Sequence, residues 1–314
     1  MLKKFAEKLS AVRSATILCH MRPDGDTIGS ALALSLALDS LGIENEVCCE
    51  SVVPELFVNL GAGKIRNKPR LDSEAIVCVD CADEFRLGEL SDYFLKSKKK
   101  TFNIDHHVSN TRYADVNYVN NCSANCQNMT RLFQEMHVEI TKEMANFLMM
   151  GLLTDSGSFT HSDVNGETMR VGGVLLDAGA DIDGLTYQMF RRQKKTRFLL
   201  NTRVMNKVRF FLDDRLACVI VMQSDLEAVG AKPEMTEGFV DFPLTVDGVE
   251  VSAALMEVKR EQFKVSLRSK GEVNVNEVAS SFGGGGHVLA SGCMLFGSVE
   301  EVLDKLSFAV SRQL

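Results

Sequence analysis

The 314-residue chain has no tryptophan and four tyrosines. Stacking on a nucleobase would therefore fall to phenylalanine, tyrosine, histidine or arginine. No apolar run reaches the roughly 18–20 residues that span a bilayer. The N-terminal stretch Met1–Ser14 carries basic residues with no continuous apolar core behind them, so it reads as a short amphipathic helix and not as a signal peptide. These absences predict a cytoplasmic protein with no membrane partner. No Cys-x-x-Cys pair occurs among the nine cysteines. Cys122 and Cys126 have no second pair to complete a zinc-ribbon pattern. Cys19, Cys48, Cys49, Cys78 and Cys218 lie in apolar, strand-like segments, which predicts free buried thiols in a reducing compartment. An excess of positive charge is also lacking. The net charge is −7, which excludes a general duplex-DNA binder but leaves room for a local basic cleft.

Hydrophobic residues make up 45% of the chain, enough for a sizeable core, and the length suits two domains. The first half alternates strand-like and helix-like segments. Ala15–Cys19 is a short apolar run ending at His20. Gly29–Leu41 is dense enough in apolar residues for a buried helix, and Gly42 would stop it. Glu46–Cys49, Ala75–Val79 and Thr101–Ile104 read as strands, the last two ending at Asp80 and Asp105. Thr141 is a suitable N-cap for a helix reaching Leu153. Such alternation predicts an α/β fold, with a doubly wound, mostly parallel sheet over residues 1–190. Ligands of such sheets bind beyond the carboxyl ends of the strands. His20, Asp80 and Asp105 each fall there.

Between Arg191 and Arg209 stand eight Lys or Arg and no acid. This stretch reads as a basic helical linker over 191–210, either a solvated face or a wall turned to an anionic substrate. Beyond it the pattern changes. Leu216–Met222, Val249–Val258, Phe263–Leu267 and Ala290–Leu295 read as strands. Asn274–Phe282 and Val299–Val310 read as helices. Residues 211–314 are therefore expected to form a second, smaller α+β domain.

Four segments carry candidate chemistry. In His20-Met21-Arg22-Pro23-Asp24-Gly25-Asp26, one imidazole and two carboxylates fall within seven residues on an expected loop. Hard divalent cations want oxygen ligands, and Mn²⁺ also accepts imidazole. Read alone, Pro-Asp-Gly-Asp is equally good turn chemistry. Asp80 follows a buried strand, with Asp83 nearby as an ordinary N-cap. Asp105-His106-His107 joins a carboxylate to two imidazoles, so one ring can ligate a cation while the carboxylate fixes a tautomer. Asp155 lies in Thr154-Asp155-Ser156-Gly157-Ser158-Phe159, where Phe159 either packs or meets a base. Together they offer His20, Asp24, Asp26, Asp80, His106 and Asp155. Two cations about 3.5–4 Å apart need about this set, with Asp80 as the candidate bridge. Left without cations, four facing carboxylates would repel and shift one another's pKa values. A fifth segment, Gly283-Gly284-Gly285-Gly286-His287, is either a flexible loop or a backbone cradle for an anion.

HMRPDGDTIGS, VDCAD, NIDHHVSN and LLTDSGSF resemble, in order, the four motifs of the DHH phosphoesterases. RSKGEVNVNEVASSFGGGGHVLASGC resembles the GGGH-containing C-terminal domain of one branch, that of the bifunctional oligoribonucleases and pAp phosphatases. The resemblance spans nearly the whole chain. It implies two cations, Mn²⁺ first and Mg²⁺ second, held by the same six residues. It implies that His107 contacts the scissile phosphate or its attacking water, that Asp105 orients the histidines, and that Asp80 belongs to the catalytic centre. It assigns the nucleotide to Gly284, Gly285, Gly286 and His287, with Arg268 supplying charge to a phosphate across a cleft. Cys81 in the second motif and His161 just after the fourth depart from the usual pattern without removing a ligand. The implied substrates are short single-stranded RNAs (nanoRNA), 3′-phosphoadenosine 5′-phosphate (pAp) and linear dinucleotides, and the implied assembly is a homodimer. A cyclic-di-AMP phosphodiesterase and a non-catalytic nucleotide-binding module are the competing readings.

Overall fold

The computed structural model describes every residue, Met1–Leu314. The chain divides into two units, Met1–Arg192 and Gln193–Leu314.

The first unit is built on a five-stranded sheet. Its strands are β1 (Ser14–Leu18), β2 (Glu44–Cys48), β3 (Ala75–Val79), β4 (Lys100–Asp105) and β5 (Val116–Val119). They run in the order β2-β1-β3-β4-β5, and every pairing is parallel. The sheet is thus wholly parallel where a mostly parallel one was expected. Burial on both faces explains why β3 reads as an unbroken apolar run. Ala75, Val77 and Val79 enter one cluster with Ile17, Leu34 and Leu148, while Ile76 and Cys78 enter another with Leu18, Leu87 and Phe94. Leu18 lies beside Cys48 and Cys78, and Val79 beside Ile104, so the carboxyl ends of four strands are flush. In an order of this kind the chain reverses direction across the sheet between β1 and β3, and ligands sit at that crevice.

Two helices close over this end. Asp24 caps the Gly25–Ser40 helix, its Oδ1 accepting the amides of Asp26 and Thr27 at 3.1 and 3.0 Å. The start is four residues earlier than the apolar pattern predicts, because an Asp-Gly pair that suits a turn also suits a capped first turn. The Lys142–Asp155 helix begins at the expected cap, with Thr141 accepting from Met144 at 3.3 Å. At Gly29 and Gly151 the helices approach so closely that a Cβ would strike Phe147 in one case and Cys126 and Asp26 in the other. The short Leu2–Ser10 helix at the N-terminus also forms, burying Phe5 and Leu9.

The second unit carries a six-stranded mixed sheet. Its strands are β6 (Arg209–Phe211), β7 (Leu216–Val221), β8 (Val251–Lys259), β9 (Gln262–Ser269), β10 (Gly285–His287) and β11 (Ala290–Phe296). The order is β10-β11-β9-β8-β7-β6, parallel only between β7 and β8. Val251, Leu255, Phe263 and Val265 meet Val278 and Leu306 from the Val275–Ser280 and Val299–Ser311 helices on one face. On the other, the Lys195–Met205 helix buries Leu200 and Val204 against Val219, Val221 and Phe239.

All nine cysteines are free and buried. No helix is long and apolar enough to cross a membrane.

Candidate metal centre

His20 follows β1, and its Nδ1 lies 2.8 Å from the carbonyl of Met21. A carbonyl only accepts, so Nδ1 carries the proton and the Nε2 lone pair turns inward. His106 repeats the arrangement: its Nδ1 donates to the Cys122 carbonyl at 2.9 Å, and its Nε2 is buried without a hydrogen-bond partner. His107 donates from Nδ1 to Asp105 Oδ1 at 2.8 Å, which frees its Nε2. Partners that fix the tautomer in this way are characteristic of metal-binding imidazoles.

The carboxylates converge from different elements. Asp80 sits just past β3 with φ of +52°. This backbone region is uncommon outside glycine and tends to persist where surrounding structure enforces it. Its Oδ1 is buried without a hydrogen bond. Asp26 stands in the first helical turn, not on the loop expected from the sequence. Its Oδ2 and Oδ1 accept the amides of Asn125 and Cys126 at 2.5 and 2.8 Å, at the start of the Asn125–Glu135 helix. Asp155 ends its helix, half-buried.

Three groupings follow: His20, Asp24 and Asp80; Asp26, His106 and Asp155; and Asp80 with Asp105, His106 and His107. His106 Nε2 lies 3.3 Å from Asp80 Oδ1, 3.5 Å from Asp155 Oδ2 and 3.9 Å from Asp26 Oδ2. His20 Nε2 lies 3.6 Å from Asp80 Oδ2. All six candidate ligands are therefore gathered at one end of the sheet, and Asp80 faces both groups of partners.

The donor set suits divalent cations. The Thr27 hydroxyl lies 2.5 Å from His20 Nε2, 2.6 Å from Asp80 Oδ2 and 3.2 Å from Asp24 Oδ1. One hydroxyl proton thus faces three acceptors, and the Asp80 Oδ1 and His106 Nε2 atoms are left without any donor. A cation offsets that deficit. Without one, protons do: burial and the charges of Asp26 and Asp80 push Asp155 up to about 10. Burial and Asp80 push Asp26 up to about 7. For His106, burial is outweighed by the Asp80 carboxylate 3.3 Å away and by the Asp26 charge, which hold the imidazolium up to about 10. For Asp80, burial is outweighed by His106, His20 and Thr27, and its carboxyl is lowered.

Several participants escaped the sequence reading. Asn110 donates to Asp105 Oδ2 at 2.6 Å and to Asn103 Oδ1 at 2.8 Å, and Asn103 in turn reaches the Tyr113 hydroxyl at 3.1 Å. This network holds the carboxylate that holds His107. Asn110 was visible at the end of NIDHHVSN, and Thr27 directly after Asp26. Nothing in the sequence marked the amides of Asn125 and Cys126. Asp83 takes its plain role, accepting from Phe85 and Arg86, and Phe159 packs beside Gly172.

In the second unit, register joins two of the expected contacts. His287 pairs with Ala290, Ala290 with Arg268, and Arg268 with Ser252. Residues directly opposite in antiparallel strands share a face, so His287 and Arg268 share one. Arg268 Nε lies 3.3 Å from Asp241 Oδ1. Beside it is a cavity of about 410 Å³, lined by Arg268, Lys264, Ser266, Thr236 and Met256. The glycine run is not a loop free to wrap an anion along its length. The amides of Gly283 and Gly284 bond to Ser280 and Ala279, and Gly285–His287 forms edge strand β10. Gly286, at φ +153°, would bring a Cβ to 2.6 Å from Ala290 O. Half of the cations in the basic stretch are satisfied within the second unit. Arg203 and Lys207 pair with Asp225, Arg209 pairs with Glu300, and Arg197 lies over the Phe239 ring.

A parallel sheet whose switch-point crevice gathers imidazoles and carboxylates, followed by a mixed-sheet unit, defines a two-unit α/β phosphoesterase. The sequence matches the DHH family, N-terminal domain, over residues 14–152 and the DHHA1 domain over residues 217–314. The chain is 32% identical to the bifunctional oligoribonuclease and PAP phosphatase NrnA of Thermus thermophilus, over 100% of this chain and 94% of that one. It is 25% identical to the protein of the same name from Bacillus subtilis, over 88% of each. An exopolyphosphatase-related protein from Bacteroides fragilis has a similar solved structure, with TM-score 0.83, 27% identity, and coverage of 99% and 95%. The chain belongs to the DHH family of phosphoesterases.

Proposed function

We propose that this chain hydrolyses short single-stranded oligoribonucleotides, pAp and linear dinucleotides with two divalent cations, Mn²⁺ before Mg²⁺. The observation that carries the reading is the convergence on Asp80. Its two oxygens face His20 on one side and His106 on the other, at 3.6 and 3.3 Å, with Asp24, Asp26 and Asp155 completing the two sets. Two relatives named for oligoribonuclease and PAP phosphatase activity support the substrate class.

Divalent cations in such a set supply Lewis acidity, acidifying a water and offsetting charge on the phosphoryl oxygens. His20, Asp24 and Asp80 would hold one, and Asp26, His106 and Asp155 the other. Asp105, kept in place by Asn110, fixes the His107 proton on Nδ1 and leaves Nε2 to contact the scissile phosphate. His107 is less buried than Asp105, as a group meeting substrate must be. In the second unit Arg268 and His287 would hold the remaining phosphate and the nucleotide, assisted by the β10 backbone.

The test compares a linear RNA dimer, pAp and cyclic-di-AMP with Mn²⁺ present. The linear substrates should dominate. A dominant rate on the cyclic compound would move the assignment to a cyclic dinucleotide phosphodiesterase. Binding without turnover of any of them would leave a nucleotide-binding module.

A further inference from the structure

A second charged feature of the Met1–Arg192 unit lies outside the Asp80 cluster. Lys64-Ile65-Arg66-Asn67-Lys68-Pro69-Arg70 places a cation at every second residue with no acid between. All four cations are exposed. None forms a salt bridge, in contrast with Arg203, Lys207 and Arg209. Of the nearby carboxylates, Glu46 accepts the amides of Arg70 and Leu71 at 2.9 and 2.8 Å and lines a cavity with Glu44, Lys64 and Arg66, while Glu50 accepts the amide of Glu89. In a chain of net charge −7 these four cations form a positive strip without ion pairs.

The strip is tied to the metal-centre loop. The Arg66 amide donates to the Val47 carbonyl at 2.9 Å, and the Arg66 carbonyl accepts from Cys49 at 2.8 Å. Cys49 Sγ donates to the His20 carbonyl at 3.4 Å, and Ser51 Oγ accepts from the Arg22 amide at 2.9 Å. A cavity of about 570 Å³ lies beside the strip, lined by Cys49, Glu50 and Ser51 on one side and by Arg66, Lys68 and Arg70 on the other.

We propose that Lys64, Arg66, Lys68 and Arg70 form an accessory surface for the sugar–phosphate backbone of a single-stranded oligonucleotide whose reacting phosphoester lies at the Asp80 cluster. The inference rests on the phosphoesterase reading above and adds a determinant of substrate length. The chemistry is that of solvated point charges meeting phosphates, which holds a strand without reading its bases. Cations on the same unit as the cluster of four carboxylates would also draw an anionic substrate toward a centre that otherwise repels it.

The variant K64Q/R66Q/K68Q/R70Q tests it on the full chain with Mn²⁺, using pAp, an RNA dimer and an RNA pentamer. Circular dichroism and thermal melting should match the parent. The pentamer should lose about tenfold in kcat/KM, mostly through KM, while pAp and the dimer stay within about twofold. The log–log salt dependence for the pentamer should flatten by about 0.7 for each phosphate no longer contacted. Equal losses on dimer and pentamer, or no loss on either, overturn the proposal. If the variant melts early, R66Q alone is expected to give a smaller loss of the same pattern, and the same two outcomes overturn it. If the parent cleaves none of the three substrates, the functional reading falls. The strip is then judged by fluorescence anisotropy of a labelled pentamer, where binding should weaken about fivefold. Unchanged anisotropy, or weakened binding only to phosphatidylserine vesicles, overturns it.

Discussion

The two units hold their candidate site groups in opposite ways. In the first, Asp26, Asp80 and Asp105 are essentially inaccessible; the amides of Asn125 and Cys126 hold Asp26, the Thr27 hydroxyl holds Asp80, and Asn110 and His107 hold Asp105. In the second, Arg268 is half-buried on an open sheet face and His287 is exposed at an edge strand. Cation chemistry needs ligand atoms fixed before the cation arrives. Under the proposed function, Arg268 and His287 would meet nucleotides of different length, for which groups free to move are an advantage. The comparison teaches that rigidity is concentrated where charge is concentrated.

Asp80→Ala should break the first half of this contrast most severely. Losing an outer partner of a metal ligand costs about 10- to 100-fold, so removing the central carboxylate should cost at least about a hundredfold in kcat. It should also abolish the thermal stabilisation that Mn²⁺ gives the parent; an undiminished melting shift would show that the cation lies elsewhere. Asn110→Ala should lower kcat by about tenfold or more with KM little changed, since it acts through Asp105 on His107. If KM rises instead, Asn110 is serving substrate and not the histidine. Arg268→Gln sharpens the other half. A charge-assisted contact is worth about 1.5–3 kcal/mol, so KM for pAp should rise by about tenfold or more, with Mn²⁺ binding unaltered in calorimetry.

The pH dependence is a gentler probe of the same contrast. Asp26, Asp155 and His106 are all raised in the folded, cation-free protein. The folded state then holds more protons than the unfolded one, and stability falls as pH rises toward their folded values. Cation-free protein should melt progressively lower between pH 7 and 9, while Mn²⁺-loaded protein changes less. Mn²⁺ binding should release protons, read from calorimetry in buffers of different ionisation enthalpy. Melting curves that stay parallel over that range would contradict it. Gly286→Ala carries the smallest expected effect, a loss of about 1–3 kcal/mol from crowding β10 against β11, with the metal centre untouched in spectra of bound Mn²⁺.

What the sequence revealed follows the same division. Strand β3 was legible to the residue because both its faces are buried, and the carboxylates at strand ends announced the crevice. Hydrophobic periodicity could not register the capped turn at Asp24, whose residues suit a turn equally well. Nor could it pair Asp26 with Asn125, 99 positions away, because contacts of that separation leave no local pattern. In the second unit the glycine run suggested freedom. The structure instead uses Gly284 and Gly286 for close approach to β11, a demand set by a strand that lies beyond the run itself.

The burial of all nine thiols makes the native chain silent toward maleimides and other surface thiol reagents. One cysteine placed at exposed Val108 and another at exposed Val288 would then be the two reactive positions, one on each unit. A dye pair at those sites would show whether the distance between the two units changes during turnover, with no native cysteine to remove beforehand.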